Sequence, residues 1–151
     1  MSERLVPLTE AVKDLLNSAT WSQTFTAVRT AVPKYEAKTG TLEVRVRPVD
    51  SKSNGPRGRK TKDRDYTIDI IVLKKVEIAD NTQTDPLIDL AEEIAQWFED
   101  DDDGHPRNIQ TAPLPRAWVT SVESVPAAYA WEYAVEDQFV AIRRLNVKCI
   151  E

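Results

Sequence analysis

The amino-acid sequence predicts an α+β fold, an antiparallel or mixed β-sheet of about four to five strands with one long-looped hairpin, packed against two helices. Apolar residues recur at steps of three and four in two stretches and alternate with polar ones in several others. The strand-like stretches also follow one another without a helix between each pair, unlike a βαβ pattern. A chain of 151 residues buries roughly two-thirds of its unfolded surface, enough for one hydrophobic core. A single domain spanning 1–151 is expected.

Leu5, Leu8, Val12, Leu15 and Leu16 share one helical face, and Asn17-Ser18 suits its end. From Thr24 to Val32 the chain is rich in Thr and Val and stops at Pro33, which favours a strand. Leu42, Val44 and Val46 alternate with Glu43, Arg45 and Arg47 before Pro48, the pattern of a half-buried strand. A second such strand runs from about Asp65 to Ile78, with Ile71 and Leu73 thickening its other face, so that its middle is expected to be covered on both sides. Between the two lies 51–64, without an apolar residue, expected as a long hairpin loop.

Asp85-Pro86 has the form of a cap followed by proline at the first helical position. Leu87, Leu90, Ala91, Ile94, Ala95, Trp97 and Phe98 then trace an apolar face, with Asp89, Glu92, Glu93, Gln96 and Glu99 opposite. That helix runs into an acidic and Pro-rich loop at 99–115, where acids at the negative end of the helix dipole should fray the last turn. Ala117 to Val125 and Gln138 to Ile150 close the chain as strands.

Composition narrows the chemistry. With one His (His105) and one Cys (Cys149), the chain lacks the roughly four ligands of a zinc site and the partners of a His-based triad. The run Asp100, Asp101, Asp102, Asp103 lacks the alternating spacing of a calcium loop, and Gly55 to Lys60 lacks the ending of a phosphate-binding loop. Catalytic, cofactor-binding and metal-binding residues are therefore all expected to be absent. Cys149 is expected as a small buried hydrophobe in a reducing compartment. No apolar run reaches the length of a signal segment or a membrane span.

Surface features stand out instead. Residues 51–64 hold Lys52, Arg57, Arg59, Lys60, Lys62 and Arg64 against one acid, Asp63, a local charge of +5. Residues 99–103 carry −5, so the two segments cancel within a chain whose net charge is −5. The basic segment suits either an acidic protein surface or phosphates, although no aromatic residue is interleaved for base stacking. Tyr129, Trp131 and Tyr133 share a parity and form a candidate aromatic contact row.

The hairpin LEVRVRPVD to DYTIDIIVLKKV with its basic arm, the helix DPLIDLAEEIAQWF and the ending DQFVAIRRLNVKC, after an N-terminal helix and Phe25 to Arg29, resemble the tail terminator (tail completion) proteins of long-tailed bacteriophages and related small neck proteins. The resemblance covers most of the chain and is one of layout. It implies a non-enzymatic virion protein, assembled in the host cytoplasm, whose homo-oligomeric ring, a hexamer, caps the tail tube and joins it to the head and neck. Its implied partners are tail tube, sheath and neck or connector proteins, with DNA passing through the lumen without specific binding, no membrane and no small-molecule substrate. The basic arm would face neighbouring tail or neck proteins. Two alternatives are another head-tail connector, such as a joining or stopper protein, and a nucleic-acid-binding module using 51–64.

Overall fold

A computed structural model describes residues 5–30, 41–56, 62–76, 81–100, 105, 107–109, 116–125 and 138–150. Helix α1 (Leu5–Ser18) buries Leu8, Thr9, Val12 and Leu16, the face set by the three- and four-residue spacing. Its end is tied down by side chains: Trp21 Nε1 donates to the Leu16 carbonyl (2.7 Å) and Ser18 Oγ to that of Leu15 (3.1 Å). Asn17 then exchanges two hydrogen bonds with the backbone of Ala27 (2.7 and 3.1 Å) and so fastens helix end to first strand.

That strand, β1 (Ala27–Arg29), is shorter than the Thr24 to Val32 expected. The chain ahead of it is committed to packing, because the Phe25 ring lies 6.1 Å from that of Trp21. Residues 31 and 32 lie outside the described residues.

Strands β2 (Glu43–Pro56) and β3 (Lys62–Lys75) form an antiparallel hairpin that corrects the expected loop. Ser51, Lys52 and Ser53 pair with Tyr66, Asp65 and Arg64, and Pro56 pairs with Lys62, so the polar segment is mostly ladder. Ladder hydrogen bonds belong to the backbone and need no apolar side chain. β3 is also held from its other side by β5 (Gln138–Ile150) as far as Asp63, opposite Ile150, and this carries the pairing beyond the apolar part of the hairpin.

Helix α2 (Asn81–Glu99) begins four residues before Asp85, so Pro86 stands inside it and Asp85 is an exposed helical residue, not the cap. The proline falls in the second turn, where it forgoes one hydrogen bond, to the carbonyl of Thr82. Pro86 is itself used as an acceptor by Gln23 Nε2 (2.9 Å). Strand β4 (Ala117–Val125) and β5 have the expected bounds.

The sheet order is β1-β2-β3-β5-β4, parallel only between β1 and β2. Both helices cover one face, α1 over β1 and β2, α2 over β4 and β5. The core between them joins Leu8, Val12, Leu90, Ile94 and Phe98 to Val44, Val46, Tyr66, Ile68, Ile70, Val72, Leu145, Val147 and Cys149. Cys149 is buried as expected. On the opposite face Ile71, Leu73 and Ile142 form a second small cluster, in agreement with the expected double coverage of β3.

Candidate interaction surfaces

The predicted contact residues separate into groups. Lys52 is exposed on the sheet face opposite the helices, in register with Asp65; Arg64 is half-buried opposite Cys149; and Lys62 enters the ladder through Pro56. Arg57, Arg59 and Lys60 lie outside the described residues. So do Asp101, Asp102, Asp103, Tyr129, Trp131 and Tyr133, whereas Asp100 is exposed just past α2.

The acidic surface is larger than the run at 99–103. Asp85, Asp89, Glu92 and Glu99 are all exposed along α2, and no Lys or Arg occurs between residues 81 and 100. Asp85 with Asp89, and Asp89 with both Glu92 and Glu93, are like-charge neighbours at helical spacing, each costing about 0.2–0.5 kcal/mol. Of these acids Glu93 has a described partner, the Ser22 amide at 3.0 Å. Beside the stripe, Glu92, Gln96 and Glu99 form one wall of a shallow groove, and Val122, Ser124 and Arg143 of the sheet form the other. Arg143 is held there by the Ser124 hydroxyl (3.0 Å) and its neighbour's carbonyl at Ile142 (3.2 Å).

The last turn of α2 is intact. It continues through Glu99, and the Asp100 amide donates to the Gln96 carbonyl (3.2 Å), contrary to the expected fraying. Arg107 supplies the reason. Its guanidinium sits 3.7 Å over the Trp97 ring and donates to the carbonyls of Trp97 (2.8 Å) and Asp100 (2.9 Å), putting a cation and two donors where the helix dipole is negative. The Arg is positioned by a stitch to the β4 edge: Ile109 N donates to the Ala117 carbonyl (2.8 Å) and Val119 N to that of Arg107 (2.9 Å). The expected loop at 99–115 therefore includes a bridge to β4, and Ile109 is buried in the core. Arg107→Ala is expected to destabilise the protein by about 2 kcal/mol and to speed hydrogen exchange of the Asp100 amide, with Arg107→Lys recovering only part. Unchanged exchange in the alanine variant would remove the clamp from the account.

Beyond the Ile71, Leu73 and Ile142 cluster, the sheet face opposite the helices is polar but self-paired. Register aligns Arg47, Asp69, Arg144 and Glu123 across four strands. Arg144 grips the buried Asp69 carboxylate with Nε (2.8 Å) and Nη2 (3.1 Å). Asn146 Nδ2 bonds Ser121 Oγ (2.9 Å) and Glu123 Oε1 (3.2 Å). By register this face carries six bases (Arg45, Arg47, Lys52, Lys75, Arg144, Lys148) and six acids (Glu43, Asp50, Asp63, Asp65, Asp69, Glu123) among the described strands. Such balance is unlike a surface that tracks phosphates.

A smaller network ties α1 to β1. Glu10 accepts from Lys13 on its own helix and from Arg29 Nε (2.6 Å). Lys13, then Arg29, hold the Glu10 carboxyl below the ordinary carboxylate range, and Glu10 pushes the Lys13 ammonium up. A lowered folded-state value contributes stability that is present above the ordinary carboxylate range and is lost as pH falls through the lowered value. In thermal unfolding from neutral to acidic pH, Glu10→Gln is expected to be less stable than the parent near pH 7, the difference vanishing in acid.

Sequence patterning missed Arg107 and the Asp69–Arg144 pair, because each acts on a partner distant in sequence. For Asp69 a signal existed: a lone acid within the otherwise apolar run from Ile68 to Leu73. Among the described residues no three His, Cys, Asp or Glu side chains converge to hold a metal, and no helix is long and apolar enough to cross a membrane. The described residues thus present an acidic helix, whereas Arg57, Arg59 and Lys60, half of the bases of 51–64, lie outside them. No protein-family model matches the chain, and no curated protein matches it.

Proposed function

We propose that the chain is a structural virion protein, a tail terminator of a long-tailed bacteriophage, which forms a homo-oligomeric ring that caps the tail tube and joins it to the neck. The observation that carries this is the layout. A sheet roofed on one face by two helices extends, through paired strands, into a hairpin bearing +5, the element order and basic arm that the resemblance requires. A ring subunit must present two different, mutually complementary surfaces, since head-to-tail contacts close only when the rotation per subunit fits. The basic hairpin and the acidic α2 supply a pair of that kind. The charge balance on the open sheet face favours this reading over nucleic-acid binding.

Light scattering of the full-length chain across a concentration series is expected to give a discrete oligomer of about six subunits, the count the resemblance implies. Imaging of particles should then place it at the head-proximal end of the tail. Its occurrence at another neck position would favour the joining or stopper role, and monomer at every concentration, with or without tail tubes, would count against a ring.

A further inference from the structure

We infer that the second half of β4 is an open strand edge that takes an extended, Lys- or Arg-bearing segment of a partner protein, laid in the groove between that edge and α2. The inference goes beyond the ring reading and does not depend on it.

The sheet has two edges, β1 and β4, and they are finished differently. On β1, Asn17 bonds both the amide and the carbonyl of Ala27, so a side chain already stands where an added strand would pair. On β4 the first half is closed by the stitch, in which Ile109 and Arg107 take the outward carbonyl of Ala117 and amide of Val119. The pairing with β5 then shifts between Val119 and Ser121, and inward and outward groups alternate again from there. Ser121 and Glu123 turn to β5, opposite Asn146 and Arg144, so Val122 and Ser124 present their amides and carbonyls to the outside. These outward groups have no partner among the described residues, and Ser121, Glu123 and Ser124 are exposed. Free edges are commonly blunted by lysine or proline, and β4 contains neither.

The groove sets the occupant. Glu92, Gln96 and Glu99 line one side of it, and Val122, Ser124 and Arg143 the other. The two residues with an open backbone thus also line the groove, and a strand added to β4 runs beside α2. Arg143 can balance only one of the two glutamates, and its hydrogen bonds go to Ser124 and the Ile142 carbonyl instead. Acid is left in excess, and Asp85 and Asp89 extend it along a helix without Lys or Arg. Alternate side chains of an added strand point to the helix side, where bases at every second position meet these acids. A second copy of β4 in the same place would bring its own acidic α2 against the first, which like charge disfavours.

The probe is a blocked synthetic peptide of about ten residues that alternates Lys with Thr. Its binding to the full-length chain, followed by NMR, is expected to move the amide signals of Val122 and Ser124. Two further peptides are methylated on the backbone nitrogens of either the Lys or the Thr residues, which keeps the charge. Only one of these sets faces β4, so one peptide should bind about tenfold or more weaker and the other like the parent. A peptide with Glu in place of Lys should also bind about tenfold or more weaker. In the protein, Ser124→Pro removes an outward amide and should abolish binding, whereas Ser124→Ala loses only the hydroxyl and should retain it. Circular dichroism confirms that both fold; if Ser124→Pro does not, the methylated peptides decide the point on the native chain. The inference is overturned if the Lys peptide does not bind, if both methylated peptides bind like the parent, or if the Glu peptide binds as well. A wild-type dimer that excludes the peptide and is lost in Ser124→Pro would overturn it too, by making a second copy the occupant.

Discussion

Arg144→Ala lowers the unfolding free energy by about 3 kcal/mol, seen as an earlier urea midpoint at unchanged slope, because it strands a buried carboxylate. Asp69 is 1% exposed and is gripped by both guanidinium nitrogens named above, while Arg144 is 33% exposed. The pair is therefore asymmetric. Removing the arginine leaves a charge that water cannot reach; removing the aspartate leaves one that water can. Asp69→Ala should accordingly cost less, on the order of 1–2 kcal/mol. Arg47, opposite Asp69 on β2, supplies a second cation and keeps the Arg144→Ala loss at the lower end of what breaking a buried pair costs. Equal losses in the two variants would show that the asymmetry of exposure does not govern the pair.

Phe98→Ala costs about 3–5 kcal/mol, a fall in melting temperature on the order of 10 °C for a chain of this length. Phe98 is fully buried in the last turn of α2 and meets the Trp97 ring edge-on with centroids 4.8 Å apart. The cavity would open beneath the turn that Arg107 clamps, in a cluster where Trp97 also meets Trp21 at 5.6 Å. Trp97→Ala, at a half-buried position, should lose less transfer energy but also removes the surface on which Arg107 stacks. A Phe98→Ala loss below that of Trp97→Ala would show that the aromatic stack outweighs the buried ring.

Most elements were legible because their burial is one-sided. α1, β4, β5 and the apolar face of α2 lie where the spacing of Leu, Ile and Val puts them, since an amphipathic period of 3.6 or 2 records the direction of the core. The departures occur where backbone or distant partners decide. The start of α2 moved from Asp85 to Asn81 because a proline in the second turn forgoes a single helical bond and does not end the helix. The polar hairpin became strand because β5 holds β3 from the far side, with Asp63 opposite Ile150, a neighbour distant in the chain that no local pattern reports. β1 shrank because Phe25 joins the Trp21 cluster ahead of it.

Of the surfaces, the bases of 51–64 and the acids of α2 could be read directly, as charge needs no fold to be counted. The sequence by itself determined the class of fold, the two amphipathic helices, the last two strands and the sign of each charged segment, all local properties of side-chain pattern and composition. Only the tertiary structure decided that Asp69 faces Arg144 and that Arg107 closes α2. Each of these joins residues far apart in the chain, and their proximity is fixed by strand order and helix packing, which local periodicity does not encode.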